Sequence, residues 1–401
     1  MEHLPNTPHR FIGLAPLMRM AFAGADLKPI AATLIAHASR DAEDANALMD
    51  LATILLLTGH RDLALSTQQE ALQMQQRYHV PSRGAPALRL LTLMSSGDLM
   101  ANTPVEFLLE ESDVAHDMLY VGAGIPAIES LPEHDVLFVA IGQSDDNDAL
   151  LRELDGVVRD WPRPVINLPS RIAELSRDRA SRLLQQAPGV AMPVCTRVDR
   201  QIVADLGRNT AALNARYPAS DYPIILRPVG SHAGQGLKKV TDADEIADYL
   251  NGVPGAEFYL SRFVDYRSAD GLFRKYRIIL IDGKPFISHM GISAHWMIHY
   301  LNAGMADSAG KRAEEARFMA SFTTQFAVRH ENAFKTIAQR VGLPYVGIDC
   351  AETRAGELLI FEIDSDMIVH AMDPTDLFPY KVEPMDRLFR AFRQMLARHL
   401  V

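Results

Sequence analysis

Tyr345-Val346-Gly347-Ile348-Asp349, followed by Leu358-Leu359-Ile360-Phe361-Glu362-Ile363-Asp364, reads as two adjacent β-strands with Arg354-Ala355-Gly356-Glu357 turning between them. Along a strand, residues i and i+2 point to the same face. Glu362 and Asp364 therefore share a face, and a hairpin brings Asp349 opposite them. Three convergent carboxylates repel one another unless a hard cation sits between them. Oxygen ligands, octahedral demand and retained waters are the profile of Mg²⁺ bound with a nucleotide phosphate. The plain alternative is a surface hairpin with scattered acids.

Around this hairpin the chain has ordinary globular composition: 401 residues, 48% hydrophobic and 22% charged, enough for two or three domains. A net charge of −10 argues against a non-specific nucleic-acid binder, which shows a basic face, but leaves room for a local basic pocket. Cys195 and Cys350 stand far apart without a CxxC spacing, so neither a disulfide framework nor a zinc site is expected and a reducing compartment fits. Met-Glu-His-Leu-Pro lacks the order of a secretory signal, and the apolar run from Leu51 to Leu57 is far short of a membrane span. The expectation is a soluble cytoplasmic protein with neither nucleic acid nor membrane as partner.

Residues 10–80 carry helical periodicity and no strand signal. Leu48, Leu51, Ala52 and Leu55 lie on one face. After Gly59, residues Leu63, Ala64, Ala71 and Leu72 continue a second. Two antiparallel helices with small contact residues resemble one tetratricopeptide repeat. The turn at Gly24 resembles a degenerate second copy. Leu55 and Gln68 stand where the repeat has large aromatics, and Pro16 interrupts the first helix. A plain helical bundle is the alternative. Pro81-Ser82-Arg83-Gly84-Ala85-Pro86 reads as a linker.

Beyond the linker, strands and helices alternate to Leu168, as in a small doubly wound α/β unit. Ser95-Ser96-Gly97-Asp98 lacks the dinucleotide fingerprint. From Met192 onward the pattern is α+β. The expected organisation is a helical region over 1–84, an α/β domain over 85–190 and a larger domain over 191–401. A second strong feature lies in the last: Ile224-Ile225-Leu226-Arg227-Pro228-Val229-Gly230-Ser231-His232-Ala233-Gly234-Gln235-Gly236-Leu237. A strand delivers the cation Arg227. Gly230, Ser231, Gly234 and Gly236 then make a loop whose backbone N–H groups can line a phosphate. No Gly-Lys-Ser/Thr opens a helix here, so it is not a Walker loop.

Cation strand, glycine loop and late carboxylate trio together resemble the ATP-grasp superfamily, which includes glutathione synthetase and D-alanine–D-alanine ligase. The resemblance covers roughly residues 88–385. It implies a Rossmann-like pre-grasp domain followed by an ATP-grasp domain, with ATP and Mg²⁺ as cofactors. Asp349, Glu362 and Asp364 map onto the metal ligands, with Asp364 replacing the usual asparagine. Arg179 and Arg227 stand where lysines contact ATP phosphates; arginine keeps the charge and adds bidentate geometry. Tyr259 to Val264 is similar to the hinge strand that pairs with adenine, through the backbone of Arg262 and Val264. Asp265 or Asp270 is placed for ribose hydroxyls, with a turn residue as the alternative for either.

Arg277 aligns with the arginine that contacts the transferred phosphate, and strand alternation puts Lys275, Arg277 and Ile279 on one face; the alternative is a salt bridge to the carboxylate hairpin. His289, His295, Trp296, His299 and Tyr300 follow where the family places its acceptor, and Lys381, with His370 and Tyr380, lies just beyond the carboxylates. Gly347 occupies a position where some family ligases carry a further arginine. The implied reaction is an ADP-forming carboxylate–amine ligation through an acyl phosphate, on a small-molecule or peptide substrate. The alternatives are an ATP-grasp kinase and a nucleotide-binding scaffold. For the amino-terminal helices both a peptide partner and a homodimer contact stay open.

Overall fold

The computed structural model describes residues 9–41, 43–127, 130–208, 222–231 and 234–400; the amino-terminal stretch Met1–Pro5 and, in the glycine loop, His232 and Ala233 lie outside them. Four helices open the chain: α1 (Leu14–Phe22), α2 (Lys28–Arg40), α3 (Ala45–Leu57) and α4 (Arg61–Met74). Gly24 and Gly59, at φ 75° and 85°, make the expected turns. At the second, His60 N–H reaches back to Leu55 O, closing α3 through the left-handed glycine. Pro16 does not interrupt α1. It is that helix's third residue, where the backbone N–H has no partner within the helix and proline costs little.

The helical pattern ends earlier than expected. Arg77–Val80 forms a strand, β1, pairing antiparallel with Val114–Tyr120 (here β3, after β2 at Leu88–Met94). Pro81–Pro86 thus joins two strands of one sheet. Alternation over so few residues, inside a longer helical pattern, gave no signal of its own. With β4 (Val136–Val139) and β5 (Val165–Ile166) the order is β1-β3-β2-β4-β5, parallel apart from β1. Helices α5 (Val105–Leu109) and α6 (Asp148–Val158) belong to this unit, and α7 (Arg177–Leu183) leads out of it.

Two further sheets follow. One is antiparallel, in the order β7-β10-β8-β9: β7 (Cys195–Asp199), β8 (Ile224–Pro228), β9 (Lys238–Val240) and β10 (Glu257–Arg262). The other has the order β12-β11-β13-β14-β6: β6 (Val190–Ala191), β11 (Phe273–Ile281), β12 (Lys284–Ser293), β13 (Tyr345–Glu352) and β14 (Leu358–Asp364). The long helical pattern between β12 and β13 is broken into α8 (Ala309–Ser321), a single turn at Phe326–Arg329, and α9 (Glu331–Val341). The chain closes with α10 (Val382–Arg398). The fold is mixed α/β, a helical region and a largely parallel sheet joined to an α+β unit.

Edge-to-face rings join the first sheet to the third: Phe138 and Tyr345 each meet Phe392 of α10, at 5.8 and 5.2 Å between centroids. All three are fully buried, in a core that also takes Ala71 and Leu72 of α4. Among the described residues no helix is long and apolar enough to cross a membrane.

Candidate functional site

The β13–β14 hairpin has the register its sequence requires: Asp349 pairs with Glu362 and Gly347 with Asp364. A register shift follows Asp349. On the other side of β13, Arg277 of β11 is the cross-strand partner of Asp349, and Lys275 lies two residues away on the same face. All five charged side chains line one cavity of 490 Å³, whose far wall is β8 and β10.

The acids enter that cavity already paired. Arg277 grips Asp349 with both prongs, Nε to Oδ1 at 2.8 Å and Nη2 to Oδ2 at 3.1 Å, while Lys275 Nζ lies 2.6 Å from Oδ2. Burial alone would push Asp349 upward; the two cations outweigh it and hold the carboxyl well below the usual range. Glu362 is bonded by Arg177, whose Nη1 also donates to Phe361 O at 3.1 Å. Its burial is likewise outweighed, by Arg177 and Arg227, and its carboxyl is held low. Asp364 differs. Burial and the neighbouring Glu362 charge push it up, and Asp366 is pushed further by burial and by Asp364. Oδ1 of each is buried without a hydrogen-bond partner.

The three expected metal ligands therefore face one space but are not gathered into a ligand set; among the described residues no three His, Cys, Asp or Glu side chains are spaced to hold a metal ion. Arg277 and Lys275 occupy the oxygens of Asp349 and Arg177 bonds Glu362, whereas Asp364 meets no cation among the described residues. In kind, the donors suit a hard divalent cation. They are carboxylate oxygens, two of them orphaned, in a place where added positive charge would relieve the Asp364–Asp366 repulsion.

Arg227 reaches the cavity from β8, but its guanidinium folds onto its own loop, donating to Ser231 Oγ at 3.0 Å and to Ser231 O. Burial, with Arg177 nearby, pulls it down to about 10. Of the loop, Gly234 lines the cavity, whereas Gly230, Ser231 and Gly236 do not. Ser231 acts through Arg227, and Gly236 lies under Pro228, where a Cβ would come within 2.8 Å of the ring. Arg262 and Val264 line the apolar end, with Ile225, Leu237, Tyr259 and Phe361.

Two expected cofactor residues fall elsewhere. Arg179 donates to Ala173 O at 2.7 Å and Asp148 at 3.1 Å, outside the cavity lining; Arg177 fills the place instead. Residues two apart on a helix point to opposite sides, so only one of the two arginines enters. Asp265 is a surface residue outside the cavity lining, within 3.8 Å of Arg267 and 3.7 Å of Arg354.

Of the substrate residues, His289, Trp296, His299 and Tyr300 line the cavity, and His295 does not. Burial first, then the nearby cations, lowers His289 well below the usual imidazole range, so it is neutral. Lys381 stands behind the wall, 4% exposed. Its ammonium bonds Tyr300 Oη and, at 2.8 Å, Asp373 Oδ2, and lies 4.1 Å over the Tyr300 ring. Tyr380 does not reach the cavity but donates to the buried Glu315 at 2.7 Å. His370 does reach it.

Sequence reasoning missed Arg177, Asp366, Asp373 and, from the amino-terminal helix, Met18 and Phe22, all of which contact this space or its acids. For Arg177 the signal existed, a cation in the first turn of the same helix. For Met18 and Phe22 there was none, because their neighbours are hundreds of residues away in sequence.

No family model matches the chain. Among solved structures it is similar to the VanG D-Ala:D-Ser ligase from Enterococcus faecalis, at 13% identity and TM-score 0.46, over 77% of this chain and 99% of that one. A D-alanine–D-alanine ligase from Bacillus anthracis complexed with ATP is similar at 14% identity and TM-score 0.45, over 78% and 98%. A RimK domain protein ATP-grasp from Sphaerobacter thermophilus is similar at 14% identity and TM-score 0.42, over 78% and 99%.

Proposed function

We propose that the chain is an ATP-grasp, ADP-forming carboxylate–amine ligase. One observation carries the reading: Arg177 of α7, Arg227 of β8, and Lys275 and Arg277 of β11 converge with Asp349, Glu362 and Asp364 on a single cavity that is apolar at one end. Such a set of cations around buried acids suits a polyphosphate whose charge spreads during transfer. The apolar end, between β8, β10 and Phe361, suits a flat base, with backbone from Arg262 to Val264 beside it.

Asp349, Glu362 and Asp364 would hold Mg²⁺, which would neutralise phosphate charge when bound. For this, Arg277 and Lys275 would pass from Asp349 to phosphate oxygens, and Arg177 from Glu362. In the proposed reaction a substrate carboxylate oxygen attacks the γ-phosphorus, and the bond to the ADP oxygen breaks. An amine nitrogen then attacks the acyl carbon, the carbon–oxygen bond to phosphate breaks, and inorganic phosphate and a proton leave. Arg277, the bidentate donor, is the residue we assign to the moving phosphoryl group. Neutral His289 and His299 neither add charge nor repel a substrate ammonium there.

The test is to incubate the full chain with ATP, Mg²⁺ and pooled amino acids and short peptides, following ADP, phosphate and product mass. Release of ADP with a product lighter by one water than its two substrates is the expected result. A stable product heavier by one phosphoryl group would identify a kinase instead. Absence of ADP under every acceptor condition would overturn both.

A further inference from the structure

The end of the cavity beyond the cations is not closed by the catalytic sheet. Its wall is apolar: Met18 and Phe22 of α1, Met100 of the loop after β2, and Met367, Ile368 and Met372 of the loop after β14. Phe22 is 40% exposed although its ring lies 5.5 Å from that of His370, so an apolar face is left open toward this space. Methionine side chains are unbranched and adapt to irregular apolar shapes. α1 is fixed in this position, not loosely laid across it. Arg19 donates to Ala371 O at 3.3 Å and pairs with Glu110, and Ala15 packs with Phe107 and Met372.

One charged group interrupts the apolar wall. Asp373 lines the cavity, its Oδ2 held at 2.8 Å by Lys381, whose Nζ is also 3.6 Å from Glu315. One ammonium shared by two carboxylates leaves neither fully neutralised, and a carboxylate accepts several further hydrogen bonds. Asp373 thus shares one cavity with Met372 and with Arg177, Arg227 and Arg277.

We propose that this chamber is the acceptor pocket and that it takes an amine bearing a large apolar side chain, the ammonium on Asp373 and the side chain against the α1–methionine wall. The assignment rests on the ligase reading for the word acceptor, and on the cavity itself for the chemistry. It gives the amino-terminal helix a role in specificity: Met18 and Phe22 are specificity-determining residues, and Lys381 is a positioning residue that orients Asp373.

The test is calorimetric titration of the full chain, with Mg²⁺ and a non-hydrolysable ATP analogue, by L-leucinamide, L-phenylalaninamide, glycinamide, L-lysinamide and 4-methylpentanamide, which keeps the apolar chain and lacks the amine. The expected result is that leucinamide and phenylalaninamide bind at least tenfold more tightly than the other three. Asp373→Asn should weaken leucinamide at least tenfold with nucleotide affinity unchanged within twofold, which also reports that the variant is folded. Phe22→Glu, a change at an exposed position, should reverse the order of leucinamide and lysinamide. Equal binding of glycinamide, an unaffected Asp373→Asn, or no binding of any amide would overturn the assignment. Titration of the nucleotide alone separates the two readings: if it fails to bind while the apolar amines are still preferred, the ligase reading falls and the pocket stands.

Discussion

Asp349 is 1% exposed and holds its charge only because Arg277 and Lys275 surround it. Breaking a buried pair from one side leaves an uncompensated charge, at a cost of ~3–5 kcal/mol. Arg277→Met should fall near the lower end, since Lys275 remains, and should abolish ADP release. Arg277→Lys keeps the charge and loses the fork, so it should destabilise less while still losing most turnover. Urea unfolding midpoints beside ADP assays check both. Gly347 gives a second test. A Cβ there would lie 2.6 Å from Met367 Sδ and 3.0 Å from its Cγ, so a larger side chain meets Met367. Gly347→Ala should cost ~1–3 kcal/mol by overpacking. Combined with Met367→Ala it should cost clearly less than the sum of the two single changes, because the clash is gone. A strictly additive double variant would show that Met367 is not the obstacle. That Gly347 is the partner of Asp364 was legible in the strand pattern; that Met367 folds back over it was not.

At the scale of elements, α1 is the piece whose sequence least announced its place. Its first turn is held by buried acids from other helices: Asp50 accepts from Ile12 and Gly13 N–H at 2.7 and 3.0 Å, and Glu106 from Ala15 N–H at 3.1 Å. Burial pushes both carboxyls up to about 7, with the backbone donors only partly offsetting it. Both keep a proton in the folded chain where the unfolded chain, with carboxyls near ~4, has lost it. Stability from this source is therefore full below about pH 4 and falls as pH rises toward 7. Glu106→Gln keeps an acceptor and has no proton to lose. It should match the parent chain near pH 4 and exceed its unfolding midpoint near pH 8.5, and equal midpoints at both would refute the account. His370 works in the opposite sense. Burial lowers it to about 4, so its contribution is full above about pH 6.5 and is lost as pH falls toward 4. The two windows are separable, because above about pH 6.5 that histidine no longer titrates in either state.

For the molecule as a whole, the cavity joins an antiparallel sheet, a carboxylate-bearing sheet and a helix from the far end of the chain. A ligand seated there binds the folded chain alone, so nucleotide with Mg²⁺ at a hundredfold above its Kd should add about 2.7 kcal/mol. The readout is a concentration-dependent rise in Tm, larger with Mg²⁺ than without. A Tm indifferent to both would count against the site. The same rise should shrink in Asp364→Asn only if that carboxylate takes part in holding the cation.

The sequence by itself determined the two strands of the carboxylate hairpin, the shared face of Glu362 and Asp364 with Asp349 opposite, and the alternation that puts Lys275 and Arg277 on one face. These depend on period and spacing within a few residues, and such local rules survive without knowledge of the rest of the chain. Only the tertiary structure decided which arginine of Arg177 and Arg179 enters the cavity, that Lys275 and Arg177 join Arg277 on the acids, and that Met18 and Phe22 form the chamber's wall. Those outcomes depend on how separate elements rotate and pack against one another. A change of one helical turn or one rotamer redirects a side chain, and no pattern along the sequence records that choice.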